Sequence, residues 1–94
     1  MTYSTITNWD VTAWTDEMEA MARDKYVPLI MSVGAQRVTM VQTGDMTFSV
    51  VTEYADAAAA ESAQARIAEI RSTATQELPM SLSSASGGKV FAQS

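Results

Sequence analysis

The chain has 94 residues, 47% of them apolar, with eleven Asp and Glu against six Lys and Arg for a net charge of −5, and it has no Cys and no His. That composition excludes disulfides, thiolate nucleophiles and Cys or His metal ligands, and it removes the side chain best suited to proton transfer near neutral pH. With no basic cluster, the counterion-release term that drives nucleic-acid binding is missing, and neither nucleic acid nor a membrane is expected as a partner.

A chain this short is expected to form one domain over residues 1–94. It buries only about 60–65% of the surface its unfolded form exposes, so pairing with a second copy would add stability. The first ten residues, MTYSTITNWD, show no charged leader or apolar h-region, and no run approaches the roughly 20 apolar residues of a membrane span. The expectation is a cytoplasmic protein.

Residues 3–11, YSTITNWDV, alternate and are rich in β-branched and aromatic side chains, which predicts strand one. Tyr3, Thr5, Thr7, Trp9 and Val11 share one face; Ser4, Ile6, Asn8 and Asp10 share the other. Neither face is wholly polar, so both sides of the sheet are expected to meet protein. Thr15 then offers an N-cap, with Asp16 and Glu17 in the first turn where the helix dipole favours negative charge. Met18, Met21, Ala22, Leu29 and Val33 form the apolar stripe of helix one. Pro28 predicts a kink or break near Lys25 to Val27, and Gly34 is the stop.

Residues 38–54, VTMVQTGDMTFSVVTEY, form a hairpin. A two-residue Gly44-Asp45 turn sets Val41 opposite Phe48; a three-residue loop sets Met40 opposite Phe48 and Val38 opposite Val50. The second gathers Val38, Met40, Met46, Phe48, Val50 and Tyr54 on one face and is favoured by the hydrophobic pattern. Asp56 caps helix two, whose Ala60, Ala63, Ile67, Ile70, Ala74 and Leu78 recur at spacings of three and four before Pro79 ends it. The tail gives a strand from Met80, with Gly87-Gly88 either interrupting it or dividing it from a further strand. The order β-α-β-β-α-β predicts a ferredoxin-like α+β fold. Two helices cover one face of a four-stranded antiparallel sheet of order 4-1-3-2.

Candidate binding residues follow from this layout. Asn8 and Asp10 are either a polar pair facing a pocket or a strand end turning to solvent, and the usual exposure of Asn and Asp favours the second. Lys25 projects within the helix-one stripe, where a charge is costly unless paired. It lines a cavity opposite Asp10 or Glu53, or Pro28 shifts the helical phase and the long stem reaches water. The Met residues read as core filling. Arg37 and Arg71 are isolated and read as solvated. Helix two, with small Ala side chains, lies close to the sheet, whereas helix one carries long Met side chains and a Pro break. The mismatch predicts a mostly apolar cavity near Trp14, Tyr26, Phe48 and Tyr54, with Asn8 or Lys25 supplying polar groups. No nucleophile–base pair, phosphate loop or metal spacing is present, so no catalytic residue and no metal site is assigned.

The element order, the SVGAQRV step from helix one into strand two and the Ala-rich helix after TEYAD resemble the dimeric α+β barrel superfamily. That superfamily includes antibiotic-biosynthesis-monooxygenase-like and stress-responsive barrel proteins. The resemblance implies a homodimer with two sheets packed face to face and a small cavity between sheet and helices in each protomer. Haem-degrading members carry an Asn on strand one, a Trp and a His. Asn8 matches the first, but Trp9 and Trp14 lie too early in the chain and there is no His, so no cofactor is expected. Two functions remain: a small apolar-ligand binding or regulatory homodimer, and a cofactor-independent monooxygenase or isomerase acting on an aromatic small molecule. A structural dimer without ligand is the alternative to both.

Overall fold

The alternating run at the start of the chain forms strand β1 (Tyr3–Val11), which lies inside the sheet rather than at its edge. The structure, a computed structural model, describes residues 2–94. Strands β2 (Arg37–Gly44), β3 (Thr47–Tyr54) and β4 (Met80–Lys89) complete a four-stranded sheet of order β2-β3-β1-β4, and every neighbouring pair is antiparallel. This is the expected strand order and a ferredoxin-like α+β arrangement. β4 runs through Gly87 and Gly88 as one strand, pairing them with Thr5 and Ser4.

The hairpin register differs from both expectations. Met40 pairs with Val50, Val38 with Thr52 and Gln42 with Phe48, and a shift between Gln42 and Gly44 leaves Thr43 as a bulge. The turn itself is Asp45 and Met46. A Cβ on Gly44 would meet the Thr47 hydroxyl at 2.7 Å, so a glycine is what lets the strands close there. The bulge restores parity after the two-residue turn, so Val38 and Met40 still share the helix-facing side with Phe48 and Val50. Met46, expected on that side, stands at the turn and is exposed.

Helix one has three parts: α1 (Asp16–Met21), a π-helical turn over Ala22–Tyr26, and α2 (Val27–Ser32). Thr15 caps it as expected, its hydroxyl accepting from the Met18 amide at 3.1 Å. The wide turn is where the Pro28 disturbance is absorbed. A proline ring crowds the carbonyl four residues back and offers no N–H to it, and the Val27 amide already reaches five residues back to Ala22. The turn carries one extra residue, so the buried positions become Met18, Tyr26 and Ile30. Leu29, placed on the buried stripe by α-helical spacing, is instead 38% exposed. Gly34 ends the helix with φ +108°.

α3 (Ala57–Glu77) begins at Asp56, whose carboxylate accepts from the Ala59 amide at 2.8 Å. Ala60, Ala63, Ile67 and Ala74 are buried, and Leu78 follows them into the core. One group of buried side chains centres on Trp9, Phe48 and Leu78, and a second on Tyr54, Ala63 and Ile67. Val38, Met40 and Ile70 pack against both. The far face of the sheet carries Ile6 and Val41, which are 42% and 46% exposed. No helix among the described residues is long and apolar enough to cross a membrane.

Candidate functional site

Strand alternation sends Thr5, Thr7 and Trp9 of β1, and Phe48, Val50, Thr52 and Tyr54 of β3, to the helix-covered side of the sheet. Ala22, Tyr26 and Ile30 face them from helix one, and Ile67, Ile70, Arg71 and Ala74 from α3. Between these layers lies a cavity offering about 70 Å³ to the centres of water molecules. Small alanines bring α3 down onto the sheet, while the wide turn sets Ala22 and Tyr26 over the gap.

The walls are mainly apolar and aromatic. Trp9 and Phe48 stack with centroids 6.2 Å apart, and Trp14 meets the Phe48 edge at 6.0 Å and 77°. The Trp9 indole N–H donates to the Thr7 hydroxyl at 2.8 Å, which satisfies both groups inside the core. On the far side of Phe48 and Met40 a groove of about 410 Å³ runs along β2 beneath Trp14, Met18 and Arg23. By volume it lies within the range of about 300–1,000 Å³ typical of small-molecule sites.

Tyr26 and Tyr54 are both buried and differ in what their hydroxyls meet. The Tyr26 hydroxyl donates to Glu77 Oε1 at 2.6 Å, and Lys25 Nζ donates to the same carboxylate at 2.5 and 2.7 Å. Burial first, then the Glu77 hydrogen bond, pushes the Tyr26 phenol up to about 12. The hydrogen bonds from Lys25 and then Tyr26 hold the Glu77 carboxyl below its ordinary range. This trio ties the wide turn to the end of α3. Tyr54 is 1% exposed and lines the cavity; no buried side-chain polar atom is left unsatisfied among the described residues, so its hydroxyl, for which no protein hydrogen bond is found, faces accessible space. Burial raises its pKa, and the positive charge of Arg71 opposes that rise.

The six candidate residues therefore separate. Tyr26, Phe48 and Tyr54 line the cavity, and Trp14 lines the adjoining groove with its N–H on Glu19 at 2.6 Å. Asn8 lies on the opposite face, donating to Ser84 Oγ at 2.9 Å and accepting from the Ser49 hydroxyl. Lys25 sits outside the cavity on Glu77, not opposite Asp10 or Glu53. Thr7, Thr52 and Arg71 are polar residues on the wall that sequence reasoning passed over. For Arg71 a signal existed: it follows the buried Ile67 by four residues and precedes the buried Ala74 by three. No group of three or more carboxylates placed to hold a metal occurs among the described residues.

Fold and site together describe a ferredoxin-like α+β protein with an aromatic-walled space beneath its helices. No family model matches the sequence, and no curated protein is similar to it in sequence. Solved structures do resemble it. A variant of SnoaB, a cofactor-independent oxygenase from Streptomyces nogalater, is 14% identical with a TM-score of 0.76 over 98% of this chain and 95% of its own. A protein of unknown function from Nitrosomonas europaea is 16% identical, with a TM-score of 0.73 over 99% and 92%. A dimeric ferredoxin-like protein from an uncultured marine organism is 14% identical, with a TM-score of 0.68 over 97% and 96%. At 14–16% identity these likenesses show a shared ferredoxin-like fold, the fold that the sequence resemblance implied.

Proposed function

We propose that this protein is a homodimer that binds a small, largely apolar or aromatic molecule in the cavity between its helices and its sheet. The observation that carries this reading is the aromatic-walled space itself, lined by Trp9, Tyr26, Phe48 and Tyr54 with few polar groups. No buried side-chain polar atom among the described residues lacks a partner, so the Tyr54 hydroxyl opens onto accessible space, where a guest that accepts a hydrogen bond can meet it. The apolar walls supply affinity and the few polar groups supply orientation.

Dimerisation through the far sheet face is supported by Ile6 and Val41, which lie exposed there beside Val51. A sheet whose two faces both carry apolar side chains is stabilised by covering the second. The dimeric ferredoxin-like neighbour supports the same reading. Light scattering at tens of micromolar tests it: a monomer refutes the dimer.

Binding is tested by thermal denaturation against small aromatic and polyketide-like compounds, comparing the wild type with Phe48→Ala and Asn8→Ala. A ligand seated in the cavity raises the wild-type midpoint, loses that effect in Phe48→Ala and keeps it in Asn8→Ala. If no compound raises the wild-type midpoint, the binding reading fails. A second reading, cofactor-independent oxidation or isomerisation of an aromatic substrate, is favoured by the likeness to SnoaB. Oxygen uptake with the compounds that bind separates oxidation from binding alone.

A further inference from the structure

We propose that the ligand of this cavity is a planar aromatic molecule carrying a carboxylate, with the carboxylate on Arg71 and the ring among Trp9, Phe48 and Tyr54. This inference rests on the cavity being a binding site. Its starting point is the charge of the lining. Arg71 is the one wall residue with a charged side chain, and no Asp or Glu lines the cavity. Arg23, Lys25 and Arg37 each lie within 4.0 Å of a carboxylate, whereas Arg71 takes part in no ion pair among the described residues. In a chain with eleven acidic residues and six basic ones, the half-buried Arg71, which makes no ion pair among the described residues, is available to an anion.

Position adds a second argument. Arg71 and Thr5 line both the inner cavity and an outer cleft of about 440 Å³ that α3 forms with β1 and β4 around Gln64 and Ser86. Glu61 lies in that outer cleft and not in the cavity. A ligand can therefore leave its charged end at the threshold, in contact with water, and place its ring inside. That arrangement avoids the cost of burying an anion and keeps the charge-assisted hydrogen bonds of a guanidinium fork. A tyrosine phenol is protonated at neutral pH, so the Tyr54 hydroxyl is a donor to the same anion.

The test compares 2-naphthoate with 2-naphthamide, which share a shape and differ in charge, by calorimetric titration of the wild type, Arg71→Gln, Arg71→Lys and Arg66→Gln. Arg66 is an exposed residue of the same helix and controls for net charge. The expected result is that wild type and Arg66→Gln bind the carboxylate about tenfold more tightly than the amide, or better. Arg71→Lys keeps part of that preference. Arg71→Gln loses it while still binding the amide. If wild type binds both compounds within about twofold, the carboxylate assignment is overturned and the cavity reading survives, without reference to any variant's folding. The assignment is also overturned if Arg71→Gln keeps the preference. If neither compound binds the wild type at millimolar concentration, both readings fall together.

Discussion

Tyr26 and Tyr54 are 3% and 1% exposed, so burial alone ranks the loss of the Tyr54 hydroxyl as the costlier change. Hydrogen bonding reverses that order. Tyr26→Phe removes a bond at 2.6 Å to a carboxylate, and bonds to charged groups are worth about 1.5–3 kcal/mol. The Glu77 side chain is 31% exposed and keeps Lys25, so the lower part of that range applies, about 1–1.5 kcal/mol after allowing for solvent screening. For a domain of this size each kcal/mol moves the midpoint by about 4–8 °C, so Tyr26→Phe lowers Tm by about 4–12 °C. Tyr54→Phe removes no protein hydrogen bond and stays within about 0.5 kcal/mol of the wild type. Urea and thermal denaturation followed by circular dichroism measure both, and a double-mutant cycle with Glu77→Gln isolates the Tyr26 coupling. The pH dependence has a definite sign. The Tyr26 phenol is raised to about 12 from about 10, so its contribution is full below pH about 10 and disappears as pH rises to about 12. Glu77 is lowered, so its contribution is present above the unfolded carboxyl value of about 4.3 and is lost as pH falls through the folded value. If Tyr54→Phe costs as much as Tyr26→Phe at pH 7, or Tyr26→Phe is indistinguishable from wild type, the reasoning is wrong.

Three further substitutions probe the frame around the site by chemical denaturation. Gly34→Ala places a side chain at φ +108° with open space around it, so strain alone should cost about 1–2 kcal/mol. Asp56→Ala removes the side-chain cap of α3 and should cost about 1 kcal/mol, while Asp56→Asn should recover most of it. Ala63→Leu pushes extra volume between α3 and the sheet and should cost about 1–3 kcal/mol, whereas the exposed Ala58→Leu should stay within about 0.5 kcal/mol of the wild type.

Much of this architecture was legible because strong local signals agreed with one another. The alternating run from Tyr3 to Val11, the capping residues Thr15 and Asp56, and the three-and-four spacing of Ala60, Ala63 and Ile67 lead to the observed elements. The errors arose where a single residue changed the phase. The bulge at Thr43 altered which residues pair in the hairpin without altering which face they share. The extra residue in the wide turn sent Leu29 outward and Ile30 inward, which a constant period of 3.6 does not anticipate. Site residues were harder, because a cavity wall is assembled from several elements at once. Phe48 and Tyr54 were reachable from face assignment alone, whereas Tyr26 lies off the α-helical stripe and followed only from the mismatch in helix-to-sheet spacing. The Lys25–Glu77 pair joins residues 52 apart, and nothing local indicates such a partner. Arg71 was passed over because composition marks an isolated arginine as a surface group, although its helical spacing places it beside buried neighbours.

The turn over Ala22–Tyr26 also bears on how this chain should be aligned with others of its fold. A π turn is an α-helix into which one residue has been inserted, so a homologue without it would be one residue shorter in the middle of a helix. Alignment schemes place gaps in loops and penalise them inside helices. Such a scheme would match Leu29 to an inward position and shift every partner on one side of the turn by one. Aligned with a single gap between residues 22 and 26, the inward columns become Met18, Tyr26 and Ile30, and substitutions at those columns can be compared side chain for side chain.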